Sequence, residues 1–286
     1  MFYCRPIFFL QQSKSLDYYS DIKYEDIKVA NHVRKEKQRR LKILESYKKN
    51  LFDIIIQGGQ SNAQGCGGGP VKNEYIPTEK VLYMNNDLTI SIAEERILDG
   101  NKTNDFSLSF AREYIKNGRL ESGRKILIIR AAVNGTGWAD HRWGMTEDLY
   151  LKMMEMIKFA LDLNSGNRLV AFIWHQGETD CGSPHDVHYN HLKELVESVR
   201  TIYNAPELPF IAGDFVHEWK NKYLEATEPI ARAIKDVCDD IGFAAFVETS
   251  ELHSNNQDTG CGDDIHFSRE ALNQLGVKYF EVFINI

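Results

Sequence analysis

The sequence predicts a three-layer α/β/α sandwich around a central parallel sheet. Two observations carry that expectation. From residue 51 onward, short apolar runs alternate with longer amphipathic ones, and polar, glycine-containing segments follow directly on several of the apolar runs. Strands separated by helical stretches pair in parallel through right-handed crossovers. A sheet wound that way places its site at the carboxyl ends of its strands. At 286 residues, the chain is long enough to bury a core without disulfide or metal staples.

Residues 1–50 stand apart from this pattern. Val33-Arg34-Lys35-Glu36-Lys37-Gln38-Arg39-Arg40-Leu41 continues through Ile43 and Leu44 to Lys48-Lys49-Asn50. Val33, Leu41, Leu44 and Tyr47 recur at near-helical spacing among charges, which predicts a charged, helical N-terminal extension with one narrow apolar stripe for the main domain. A basic helix that binds a partner is the alternative.

The strands follow in order. Leu51–Gln57, Lys80–Met84, Lys125–Arg130, Leu169–Trp174, Pro209–Ala212 and Ala244–Val247 are short and apolar, as strands buried on both faces must be. Between them Ser107–Asn117, Glu147–Leu163, His185–Tyr203, Ala226–Asp240 and Arg269–Phe283 carry helical periodicity. No internal repeat interrupts the series, so residues 51–286 read as one domain.

Composition narrows the function. Lys and Arg number 34 against 41 Asp and Glu, a formal charge of -7. Non-specific nucleic-acid binding needs the opposite balance. Five cysteines with no Cys-x-x-Cys fit a reducing compartment better than a disulfide framework. The apolar run Pro6–Leu10 is too short for a signal peptide and no stretch suits a membrane span, so a cytoplasmic location with no membrane partner is the expectation.

Three polar segments follow strands or precede the last helix. In Gln57-Gly58-Gly59-Gln60-Ser61-Asn62-Ala63 a serine stands one tight turn beyond a buried strand, and the glycines permit the turn. Ala63 takes the place of the last glycine of a Gly-x-Ser-x-Gly elbow, so this is not that motif. Trp174-His175-Gln176-Gly177-Glu178-Thr179-Asp180 puts a row of polar groups directly after a strand, where each would be costly to desolvate unpartnered. In Asp263-Asp264-Ile265-His266 a carboxylate three residues ahead of a histidine can bond its Nδ1–H and leave Nε2 free to take a proton. Each segment alone also suits a structural turn; together they supply a nucleophile, a base with its acid, and spare amide donors.

Gly59-Gln60-Ser61-Asn62, Trp174 to Asp180 and Asp263 to His266 resemble the signature blocks of SGNH hydrolases, in particular the sialate O-acetylesterase-like branch that includes the acetyl xylan esterases of carbohydrate esterase family six. Ala131-Ala132-Val133-Asn134-Gly135-Thr136-Gly137-Trp138 is similar to that branch's Gly-Gly-Thr segment, with Asn134 in place of the first glycine. The likeness runs from about residue 52 to 284 and implies the flavodoxin-like form of the sandwich. It implies Ser61 as nucleophile, His266 as base and Asp263 as the acid that orients it, with Glu178 as the competing acid. The oxyanion hole would be the N–H groups of Ser61 and Gly135 with the Gln176 amide. Gln60, Asn62, Trp138 and His175 would meet the substrate. The implied activity is removal of O-acetyl groups from a carbohydrate, with no metal or organic cofactor. A lipid esterase or thioesterase on the same scaffold, or a non-catalytic carbohydrate-binding module, are the alternatives.

Other signals carry less. His185, His188 and His191 step by three along a predicted helix and drift off a common face, so solvated residues are expected rather than a zinc site. Cys66, Cys181 and Cys261 lie near the three segments and are expected to pack rather than react. Cys66-Gly67-Gly68-Gly69-Pro70 lacks the Gly-Lys-Ser/Thr of a phosphate loop and reads as a loop flanking the serine.

Overall fold

In a computed structural model, residues 13–286 are described apart from Asp99; Cys4 and the apolar run Pro6–Leu10 lie outside the described residues. The chain divides into two compact units, one ending at Ser46 and one spanning Tyr47–Ile286. The first contains α1 (Ser13–Tyr47) almost entirely. Glu36 pairs with Arg39 at 2.6 Å and Arg40 at 3.6 Å, the spacings at which side chains meet along a helix. Val33 and Leu41 of the expected stripe are more than half exposed.

The second unit begins with β1 (Leu51–Gly59), the short α2 (Ser61–Gln64), β2 (Val81–Met84), β3 (Ile90–Ile92), β4 (Arg96–Leu98) and β5 (Asn101–Thr103). It continues with α3 (Phe106–Lys116), β6 (Arg124–Ala132), α4 (Asp148–Asp162), β7 (Arg168–His175) and α5 (His185–Ile202). Then come β8 (Phe210–Gly213), α6 (His217–Lys222), α7 (Leu224–Asp240), β9 (Ala244–Val247), α8 (Asn255–Thr259) and α9 (Arg269–Phe283). All six expected strands and all five expected helices are present. The additions are β3, which pairs antiparallel at the sheet edge, the β4–β5 hairpin, and short helical turns. Three-residue strands with side chains as open as Ile97 and Leu98 carry too few positions to show a period.

The sheet order is β3-β2-β6-β1-β7-β8-β9, with every pair parallel except β3–β2. Alternate side chains point to opposite faces. Ile55, Ile126, Ile128, Ile173 and Ile211 share one face with Phe106, Phe110, Leu272 and Leu275 from α3 and α9. The intervening Ile54, Ile56, Leu127 and Phe172 are equally buried on the other face, where α4, α5 and α7 lie. After β1 the chain builds one side of the sheet through β2 and β6, then crosses to build the other from β7. The carboxyl ends of β6, β1 and β7 therefore frame the crevice at the topological switch point.

The opposite end of β1 is fixed by a buried carboxylate. Asp53 accepts hydrogen bonds from Arg124 Nε and Arg168 Nε, each at 2.7 Å, and from the Tyr114 hydroxyl at 3.0 Å. These ties join three adjacent strands to α3, well away from the crevice.

Candidate active site

The turn after β1 is shaped by close backbone approach. Gly59 has φ +130°, and a Cβ there would lie 2.0 Å from the His175 carbonyl oxygen, so no other residue fits. That carbonyl accepts the Gln60 N–H at 3.0 Å, and Gly59's own carbonyl accepts the Val133 N–H at 3.1 Å. Ser61 then opens α2, which stops after one turn at Gly65, in the left-handed region. Arg130 donates to the Gln64 carbonyl at 3.0 Å and Arg96 to that of Gly65 at 2.8 Å, which satisfies carbonyls that a helix end leaves open. Ser61 is thereby held on a rigid turn between the ends of β6 and β7.

His266 comes from the segment before α9. Its Nδ1 lies 2.9 Å and 3.1 Å from the two Asp263 oxygens, and its backbone N–H also donates to Asp263. Burial works against the charge on Asp263, but hydrogen bonds from His266 and from Asn255 at 2.9 Å outweigh it and hold the carboxyl at about 2. An ionised carboxylate can only accept, so the His266 proton sits on Nδ1 and Nε2 is left as the basic end.

Asn62 joins the two segments. Its Nδ2 donates to Glu178 Oε1 at 2.7 Å and to the Ile265 carbonyl at 3.2 Å, while its Oδ1 accepts the Phe267 N–H at 3.0 Å. The residue beside Ser61 thus grips both neighbours of His266.

Gln176 lies just beyond β7. Its Nε2 donates to Asp180 Oδ2 at 2.7 Å, with longer contacts to the Thr136 carbonyl at 3.3 Å and Gln60 Oε1 at 3.4 Å. Asp180 Oδ1 accepts the Ala139 N–H at 2.8 Å from the segment after β6. In that segment Gly135 has φ +67° with nothing near its Cβ position. Gln60 Oε1 accepts the Thr179 N–H at 3.1 Å. Gln60 Nε2 makes no hydrogen bond among the described residues.

Ser61, Gly135, Gln176, Asp263 and His266 thus gather at one end of the sheet, while several neighbours depart from their expected places. His175 is not a substrate contact. Its side chain is fully buried, and Tyr279, whose hydroxyl donates to the Trp174 carbonyl at 2.8 Å, accepts from His175 Nδ1 at 3.2 Å. Burial lowers the pKa of that imidazole to about 3. Asn62 is also wholly buried and commits its amide to the contacts just given, so it too does not face a substrate. Trp138, expected to meet the substrate, is buried: it stacks on His191 at 5.7 Å with rings 7° from parallel and packs perpendicular to His188 at 5.0 Å. Glu178 bonds Asn62 while Asp263 takes the His266 ring. Burial pushes the Glu178 carboxyl up, against the hydrogen bond from Asn62.

Of the α5 histidines, expected to be solvated, His188 alone is buried, while His185 and His191 are partly exposed. His188 is buried with Nδ1 3.4 Å from Asp180 Oδ2, and His185 pairs with Asp236 at 2.8 Å. Among the described residues no group of three His, Cys, Asp or Glu side chains is placed to hold a metal ion. Burial pushes the Cys66 thiol up and that of Cys181 to about 12, away from the thiolate form a nucleophile needs.

Asp180, which stands in the polar block with no role assigned to it there, and Asn255, Arg96 and Arg130 also support the site. Asp180 stands four residues after Gln176, a spacing that could have flagged it; Asn255 and the arginines carry no local signal.

Known proteins resemble this chain over its second unit. The family model described as carbohydrate esterase, sialic acid-specific acetylesterase, matches residues 51–285. A probable carbohydrate esterase of Arabidopsis thaliana is 26% identical over 250 residues, covering 81% of this chain and 90% of that protein. The crystal structure of NanS superposes with a TM-score of 0.70 at 18% identity, over 83% of this chain and 98% of NanS. A carbohydrate acetylesterase from Xanthomonas citri gives 0.52 at 13% identity, over 80% of this chain and 55% of that one. At these identities the solved structures establish the fold, that of the SGNH-like hydrolases.

Proposed function

The chain belongs to the carbohydrate esterase family described as sialic acid-specific acetylesterases, and from that premise we propose that it removes O-acetyl groups from a carbohydrate through an acetyl-serine on Ser61. The observation that carries the reading is the Asp263–His266 pair clasped onto the Ser61 turn by Asn62.

In this reading the Ser61 hydroxyl attacks the acetyl carbonyl as its proton passes to His266 Nε2. Asp263 stabilises the imidazolium that results. The tetrahedral oxyanion takes hydrogen bonds from the N–H groups of Ser61 and Gly135 and from Gln176 Nε2. Gln176 can turn its second hydrogen to the oxyanion because the contacts that hydrogen makes at rest, 3.3 and 3.4 Å, are long. Each such donor contributes roughly 3–4 kcal/mol in the transition state. His266 returns the proton to the departing sugar oxygen, and a water activated the same way releases acetate.

A cavity of about 430 Å³ borders the Ser61 turn, lined by Gln64, Asn85, Asn86, Asp87, Thr89, Arg96, Arg130 and Ala132. Its polar wall, in which Arg96 and Arg130 stand with Asp87, supports a sugar over the long apolar groove a lipid esterase or thioesterase would need. The test is acetate release from a panel of O-acetylated sialic acids and acetylated neutral glycans. Turnover of at least one, lost in Ser61→Ala, is the expected result. No turnover of any, or turnover that survives Ser61→Ala, would defeat the reading.

A further inference from the structure

We infer that Asp180 is a positioning residue for this reaction, a single buried carboxylate that sets the Gln176 amide and the Gly135–Ala139 segment against each other. The inference rests on the acetyl-serine reading above and extends it to a residue that touches neither substrate nor nucleophile.

Both carboxylate oxygens are committed. Oδ2 accepts Gln176 Nε2 at 2.7 Å and Oδ1 accepts the Ala139 N–H at 2.8 Å. The two donors come from different strands, Gln176 from the end of β7 and Ala139 from the segment beyond β6. Asp180 therefore fixes the separation between the side-chain arm and the backbone arm of the proposed oxyanion site. The approach is tight. A Cβ on Gly137 would lie 2.4 Å from Asp180 Oδ1, so only glycine lets the segment reach the carboxylate.

The charge matters as much as the shape. A side-chain amide has a donor end and an acceptor end of nearly equal size, and its neighbours decide which way it faces. A carboxylate accepts and cannot donate, so it demands the Nε2 end of Gln176. Gln176 Oε1 has no hydrogen-bond partner among the described residues, so the amide is oriented from its Nε2 end alone, by the short bond to Asp180 and the longer contacts to the Thr136 carbonyl and Gln60 Oε1. Burial opposes the charge on Asp180, but His188 at 3.4 Å, the Ala139 N–H and Gln176 together hold its carboxyl below the ordinary range. An asparagine at 180 would have the same outline but could donate to Gln176 Oε1, which turns the amide around and removes the donor from the reacting oxygen.

The experiment measures kcat, KM and melting temperature with an aryl acetate for Asp180→Asn, Gln176→Ala and the double variant. Asp180→Asn should lose roughly 100-fold in kcat, with KM and melting temperature close to those of the unchanged protein. The double variant should fall little below the worse single one, because Asp180 acts through the same donor. Gly137→Ala, which displaces the carboxylate from the other side, should reproduce the kcat loss and serves as the test if Asp180→Asn does not fold. A kcat within threefold of the unchanged protein in both Asp180→Asn and Gly137→Ala, or multiplicative losses in the double variant, would overturn the inference. Ser61→Ala separates the two claims. If it stays active the acetyl-serine reading has failed, whereas an inactive Ser61→Ala beside fully active Asp180→Asn and Gly137→Ala sinks the inference alone.

Discussion

Asn62 Oδ1 accepts the backbone N–H of Phe267 at 3.0 Å, so the residue after Ser61 holds the residue after His266. Asn62 and Phe267 are 205 positions apart in the chain, and this hydrogen bond and its companion to the Ile265 carbonyl place the two segments together. Asn62→Asp keeps an acceptor for Phe267 but loses both donors. It is expected to lower kcat/KM by roughly 100-fold, the scale at which misplacing reacting groups by about 1 Å is felt. Steady-state kinetics checks this; activity within threefold of the unchanged protein would remove Asn62 from the positioning of His266.

The two carboxylates near His266 have separable roles. Asp263 bonds the imidazole directly, and Glu178 bonds Asn62. Asp263→Asn should reduce kcat by several orders of magnitude, since an amide no longer fixes the Nδ1–H tautomer; the comparable change in a serine protease costs about 10⁴-fold. Glu178→Gln should retain most of the activity, because Glu178 bonds Asn62 rather than the imidazole and an amide oxygen can still accept that bond. A reversed ranking in side-by-side rates would make Glu178 the helper acid.

His175 couples stability to pH. Burial lowers its imidazole to about 3 in the folded protein, while the unfolded chain gains its proton near the ordinary value of about 6.5. The unfolded state therefore binds more protons between those values, and the contribution of His175 to stability, complete above about 6.5, declines as pH falls toward 3. His175→Asn, which cannot ionise, should show a shallower fall of melting temperature with acid over that window. Parallel curves for the two proteins would contradict the buried, neutral assignment.

Asp53 tests whether stability and chemistry are separable in this fold. Removal of one member of its buried ion cluster leaves two arginines facing an empty site, a loss of about 3–5 kcal/mol for Asp53→Ala. The cluster lies at the amino end of β1, while Ser61 follows the carboxyl end. Denaturant unfolding should report the loss, with kcat unchanged at temperatures where the variant is folded. A stability change below about 1 kcal/mol would show that the cluster is worth no more than a surface ion pair.

The sequence made legible what depends on local pattern. Strands such as Leu51–Gly59 announce themselves through unbroken apolar runs, and the Asp263–His266 pair through three-residue spacing. What it hid depends on contacts between distant segments. Asn62, Trp138 and His175 sit inside motif blocks, but their neighbours Phe267, His191 and Tyr279 come from elsewhere and turn expected substrate contacts into buried struts. His188 shares the same cause. It lies on a polar-looking helix, yet Trp138 and Asp180 cover it. The β4–β5 hairpin stayed hidden for the simpler reason that its strands are three residues long.

The acetyl-serine intermediate itself is the most direct test of the central claim. The protein is mixed with an aryl acetate, quenched in acid within the first turnovers, and analysed by intact mass and peptide mapping. The account predicts a mass increase of one acetyl group on the peptide that contains Ser61, absent in Ser61→Ala and longer-lived in His266→Ala if that variant acylates at all. Acetate release with no acylated peptide, or acetyl groups found on Cys66 or Cys181 with Ser61 unmodified, would contradict it.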